Sequence, residues 1–132
     1  MKTPTRSVLV ITESPKPFAM AMSLLRAEGY QVTFTTGEHL ASDVENVPAM
    51  VISELAMPDI DGLKICRRLR RDKRMQQTPI MLVGDLSAYS SIVADGMRCG
   101  ASAYVQKPFT FAAMASRVME MIDSPPVRNA WA

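Results

Sequence analysis

The sequence predicts an α/β fold in which a parallel sheet is covered by helices on both faces. Two observations carry this: short aliphatic, β-branched runs alternate with segments of helical periodicity, and several of those runs are apolar throughout, as strands buried on both sides are. Residues 7–12 (SVLVIT) form the first such run. Pro15 and Pro17 then open a helix that carries Phe18, Met22 and Leu25 at helical spacing, and Gly29 stops it. QVTFTT (31–36) alternates as a second strand, and GEHLASDVENV (37–47) reads as a weak short helix or a loop. AMVISE (49–54) is a buried third strand closed by Glu54, after which Pro58 and Gly62 break the chain into a loop. GLKICRRLRRDKRM (62–75) sets Leu63, Cys66 or Ile65, and Leu69 on one side of a helix. TPIMLVG (78–84) is a strand, and SAYSSIVADGMRC (87–99) a helix weakened by Gly96. ASAYVQ (101–106) is the last strand. In the final helix, TFAAMASRVMEMI (110–122), Phe111, Ala115, Val118 and Ile122 form the core stripe, which leaves Met114 and Met121 beside Arg117 on the outside. Pro125 and Pro126 end that helix, so residues 1–123 form one domain and 124–132 a tail or the start of a linker.

Composition agrees with a single globular domain. The chain has 132 residues, 48% hydrophobic and 21% charged, enough to bury one core. A net charge of +2 is too small to argue for nucleic acid. The basic run 67–74 (RRLRRDKR) reads as a solvated helix end, since cations favour the last turns of a helix, and His39 as a solvated loop residue. Cys66 and Cys99 lack metal-ligand spacing and read as buried, reduced thiols. No stretch has the length of a membrane helix or a secretory signal. A cytoplasmic protein is expected.

In an open parallel sheet, ligands bind outside the carboxyl ends of the strands. Those ends present Thr12 and Glu13, then Glu54, then Gly84 and Asp85, then Lys107. Three acidic groups facing one lysine could form a cation or phosphate site, and scattered surface charge would look the same.

Four stretches, VLVITESP (8–15), MPDIDG (57–62), TPIML (78–82) and GASAYVQKPF (100–109), together resemble the receiver domain of two-component response regulators, over nearly the whole chain. The resemblance implies a flavodoxin-like three-layer sandwich with five strands in the order 2-1-3-4-5. It also implies a phosphoacceptor aspartate ending the third strand, an acidic pair that holds Mg²⁺, a Ser or Thr ending the fourth strand, a lysine that pairs with the phosphoryl group, and an aromatic switch in the fifth strand. At those positions this sequence has Glu54, Thr12 with Glu13, Gly84, Lys107 and Tyr104. Of the phosphoacceptor, acidic pair, hydroxyl residue and lysine, only the lysine is kept intact. Mg²⁺ demands near-octahedral oxygen ligands at about 2.0–2.1 Å, and an error of about 1 Å in placing a reacting group can cost on the order of 100-fold. The sequence is therefore expected to be a degenerate, pseudo-receiver type: no enzyme, no cofactor, and Mg²⁺ binding lost or weak.

Glu54 is expected to pair with Lys107, either as a built-in partial phosphoryl mimic or as a structural ion pair of little net worth. With no side chain at Gly84, the Tyr104 ring is expected to turn inward. The expected function is phosphorylation-independent protein binding through the fourth helix, fifth strand and fifth helix, counting 37–47 as the second helix. Met114, Arg117 and Met121 are the candidate contacts, no nucleic acid or membrane is engaged, and a homodimer stays open. The alternatives are a receiver with residual phosphoacceptor activity and, more remotely, a flavodoxin-like cofactor binder, whose phosphate loop the TESPKP segment (12–17) lacks the glycines to build.

Overall fold

The computed structural model describes residues 6–37, 46–57 and 61–125. Five parallel strands lie in the order β2-β1-β3-β4-β5. They are β1 (Ser7–Ile11), β2 (Gln31–Thr35), β3 (Met50–Glu54), β4 (Ile80–Gly84) and β5 (Ala103–Gln106). The helices among the described residues are α1 (Ala19–Ala27), α2 (Gly62–Arg71), α3 (Ser91–Arg98) and α4 (Phe111–Asp123). Residues 38–45 of the weak second segment, with His39, lie outside the described residues, as do 58–60 with Pro58, and 126–132 of the tail.

Strand periodicity divides the core in two. Val8, Val10, Met50, Ile52, Met81, Val83 and Ala103 face α1 and α4, meeting Phe18, Met22, Leu25, Met114 and Val118. The alternate residues Leu9, Ile11, Val51, Ile80 and Leu82 face α2 and α3, meeting Ile65, Cys66, Leu69 and Val93, with Tyr104 packed against that layer. β1, β3 and β4 are covered on both sides, which is why they read as continuous apolar runs.

The first helix begins with a 3-10 turn at Lys16–Phe18, and Gly29 ends it at φ 92°, a left-handed conformation that a side chain would strain. Gly62 does not break the chain: it opens α2, whose N-cap Asp61 accepts the Lys64 backbone N–H at 2.8 Å. Glycine is needed there because a Cβ would stand 2.6 Å from the Glu54 carbonyl oxygen, so β3 and α2 meet backbone to backbone at the edge of the site. Gly96 likewise lets α3 settle on β4, since its Cβ would meet Leu82 Cδ1 at 2.6 Å.

Three expectations are corrected. In α4, Met114 (1% exposed) and Met121 (3%) are core residues, whereas Phe111 is 47% exposed and Ile122 half-buried. Residues 114, 118 and 121 follow the i, i+4, i+7 rule just as well as the expected stripe, and Phe111, directly after the Thr110 cap, sits before the helix reaches the core. Within the basic run, Arg70 is not solvated: its Nε and Nη2 donate to the Gly100 carbonyl at 3.0 and 2.8 Å, and its Nη1 to those of Met75 and Thr78. One guanidinium thus fastens α2 to the loops before β4 and β5, which its five fixed donors suit. Cys66 is buried, as expected, with its thiol 3.6 Å from the Cys99 carbonyl, but Cys99 is only half-buried.

Candidate functional site

The carboxyl ends of β3, β4 and β5 border a cleft of about 540 Å³. Its lining comprises Glu54, Leu55, Ala56, Met57, Asp61, Leu63, Val83, Gly84, Asp85, Leu86, Ile92 and Lys107. Parallel pairing brings the polar members together: Glu54 lies opposite Val83, and the Lys107 backbone N–H donates to the Gly84 carbonyl at 2.7 Å. The Lys107–Pro108 peptide bond is cis.

Lys107 Nζ donates to Glu54 Oε1 at 2.8 Å, with the two side chains 23% and 14% exposed. The sequence-predicted pair therefore forms. Partial burial strengthens the attraction between the charges and also raises the cost of removing them from water, so the net stabilisation is small while the loss of one partner is costly.

The Tyr104 ring packs against the α2 and α3 side of the core, and its hydroxyl donates to the Leu86 carbonyl at 2.5 Å. A Cβ on Gly84 would stand 3.2 Å from that hydroxyl oxygen and 3.2 Å from Leu55 Cβ. The space a side chain at position 84 would need is taken by tyrosine and leucine. Burial, and then the negative charge of Asp85, push the Tyr104 hydroxyl above its ordinary value. A raised native-state pKa means that the folded chain holds this proton more tightly than the unfolded one. The associated stability is present below the unfolded value of about 10 and is lost as pH rises through the native one. Melting temperature should accordingly fall more steeply above about pH 10 in the wild type than in Tyr104→Phe. Parallel slopes for the two proteins would contradict this.

Thr12 and Glu13 are not among the cleft-lining residues. Thr12 is 3% exposed, and its hydroxyl donates to the Ser14 carbonyl at 3.1 Å and accepts the Ser14 N–H at 3.0 Å, closing a local turn after β1. Glu13 is exposed and joins no ion pair among the described residues. A Mg²⁺ ion needs several oxygens converging on one point. Here the buried member is a neutral hydroxyl already bonded in its turn, and Glu54 faces a lysine. No group of three or more His, Cys, Asp or Glu residues suited to a metal ion occurs among the described residues. This donor set does not fit the ion that the receiver resemblance implies.

Of the candidate contact residues, Arg117 is exposed, and the two methionines are not available. Sequence reasoning missed the exposed apolar residues Leu86 and Ile92, which line the cleft, and Tyr89 (98% exposed) and Met97. Ile92 and Met97 flank the buried positions of α3, Val93 and Gly96, and spacing alone does not decide which way such flanking residues turn.

The comparisons with known proteins agree with the fold. The family model of the response regulator receiver domain matches residues 8–119. The chain is 30% identical over 122 residues to the transcriptional regulatory protein TcrA of Mycobacterium tuberculosis, covering 91% of this chain and 47% of that protein. It is 29% identical over 119 residues to the DNA-binding dual master transcriptional regulator RpaA of Synechocystis, covering 87% of this chain and 48% of that protein. The chain thus spans about half the length of these curated relatives. Among solved structures, the BeF3-activated receiver domain of DrrB, a Thermotoga maritima protein, superposes with a TM-score of 0.78 at 26% identity, over 91% of this chain and 99% of that one. No helix among the described residues is long and apolar enough to cross a membrane. Sheet order and family match agree, and the chain belongs to the receiver domain family of two-component response regulators.

Proposed function

We propose that this receiver is degenerate at its cleft and works as a phosphorylation-independent protein-binding module in the cytoplasm, without enzymatic activity of its own. The observation that carries this reading is the 2.8 Å ion pair between Lys107 and Glu54, the residue standing where the family has its phosphoacceptor. A carboxylate already bonded to the lysine supplies, without any transfer, part of the charge contact that an incoming phosphoryl group would make. It supplies only part, because one carboxylate carries a single charge against about −1.5 to −2 for a phosphoryl group at pH 7. The Tyr104 hydroxyl supports the same reading. It lies over Gly84 and bonds to Leu86, so the ring needs no hydroxyl residue to move aside.

The output surface in this proposal is the face of α3, β5 and α4, equivalent to the fourth helix, fifth strand and fifth helix of the sequence numbering. Ile92, Met97, Phe111 and Arg117 are its exposed contacts, in place of Met114 and Met121. The partner is a protein, which includes a second copy of the chain. Nucleic acid and membrane are not engaged.

The cleft chemistry is testable with a phosphoryl mimic. Millimolar Mg²⁺ with beryllofluoride is expected to leave the melting temperature unchanged, since a ligand stabilises a protein only as far as it binds the native state. A rise of several degrees with both present, and none with either alone, would favour the alternative of residual phosphoacceptor activity.

A further inference from the structure

α2 turns Ile65, Cys66 and Leu69 into the core, and every exposed residue on its opposite side is a cation. Lys64, Arg67, Arg68 and Arg71 follow the i, i+3, i+4, i+7 spacing of one helical face. None of the four joins an ion pair among the described residues. Their basic neighbours are engaged: Arg70 by three backbone carbonyls and Arg74 by Asp72.

The helix dipole accounts for part of this stripe. Its negative end favours cations in the last turn, which suits Arg68 and Arg71. Lys64 stands in the first turn, where the dipole opposes it, and Arg67 in the middle, where the dipole gives little. Like charges at these spacings also repel one another and weaken the helix that carries them. Stability therefore does not explain the pattern. The charge is local as well: residues 61–75 hold seven of the chain's 15 Lys and Arg and two of its 13 acids, so this segment carries +5 and the remainder −3.

We propose that the outer face of α2 is a docking surface for an acidic helix of a partner protein, one that presents carboxylates along a single face. The stripe spans about 10 Å, seven residues at about 1.5 Å each, and is one helix wide. A single helix laid along α2 matches the width of the stripe, whereas a nucleic-acid duplex or a bilayer extends well beyond it, and outside this segment the chain offers no net positive charge to hold either. The stripe contains no aromatic or apolar side chain to stack on bases or enter a bilayer. Three of its four members are arginines, whose planar forks bind carboxylates through two parallel hydrogen bonds. This surface lies on a different element from the α3, β5 and α4 face.

The test titrates the whole chain into a fluorescein-labelled synthetic helix of about four turns that carries glutamate at i, i+3, i+4 and i+7. Binding is expected at low ionic strength and should weaken steeply as salt is added. The double variant R67E/R68E should lose about tenfold or more in affinity while keeping the wild-type melting temperature, and it should bind the lysine version of the helix that the wild type rejects. Equal binding of the acidic helix by wild type and R67E/R68E would overturn the proposal. So would tighter binding of duplex DNA or phosphatidylserine vesicles than of the acidic helix at the same salt.

Discussion

Replacing Gly84 by threonine should drive the Tyr104 ring out of its seat. A Cβ at position 84 lands 3.2 Å from the tyrosine hydroxyl and 3.2 Å from Leu55 Cβ, and of the two neighbours only the tyrosine is the far end of a side chain that can swing away. The ring then gives up its hydrogen bond to the Leu86 carbonyl, worth about 1 kcal/mol, and part of its contact with the core on the α2 and α3 side. If the wild type works through the inward state proposed above, Gly84→Thr should make that state a minority, and binding that requires it should weaken about tenfold, because affinity scales with the fraction of competent protein. The hydroxyl should also return toward its ordinary value, since burial is the main reason it lies above it. Ring proton contacts between Tyr104 and Leu55 in NMR spectra report the position directly. If those contacts persist in Gly84→Thr, then Leu55 has yielded in place of the tyrosine, and the proposed link between position 84 and the ring fails.

Glu54→Gln should show its largest effect at Lys107. The amide oxygen can still accept a hydrogen bond, but the ammonium, on a side chain only 23% exposed, loses the charge that balanced its partial desolvation. A loss of about 1–2 kcal/mol is expected, less than for a fully buried pair because water still reaches both groups. Lys107→Met should lose a comparable amount, and the double variant should recover part of it, because neither charge is then left alone. If the carboxylate acts as a mimic, binding to a partner protein should fall further in Glu54→Gln than the stability loss explains. Unchanged binding in the folded variant would leave Glu54 a structural partner of Lys107 and nothing more.

Much of this architecture could be read from residue patterns wherever an element had only one good solution. β1, β3 and β4 are buried on both faces, so a continuous aliphatic run sufficed to find them, and the polar residues at the ends of β3, β4 and β5 marked the cleft. α4 was ambiguous for a physical reason. Ala, Met, Val and Ile occupy more than half of its circumference, so two stripes compete, and only the packing against α1 and the sheet selects the one through Met114, Val118 and Met121. Gly62 and Gly96 looked like interruptions, yet each sits at a close approach that spacing within its own helix does not reveal, Gly62 to the Glu54 backbone carbonyl and Gly96 to the end of the Leu82 side chain. Arg70 could not be told from Arg71 by type or spacing alone. Its position at the edge of the buried face puts it within reach of three carbonyls that belong to other elements. Thr12 was placed correctly at the end of β1, but its hydroxyl turned out to serve the local turn at Ser14 and not the cleft.

Phosphorylation-independence is tested most directly by exposing the whole chain to a small phosphodonor, such as acetyl phosphate with millimolar Mg²⁺, and measuring the intact mass over time. The expected result is a mass that stays at that of the unmodified chain, in the wild type and in Glu54→Gln alike. Mg²⁺-dependent gain of one phosphoryl group by the wild type, absent in Glu54→Gln, would show that the carboxylate still accepts the group despite its contact with Lys107, and would return this cleft to phosphotransfer.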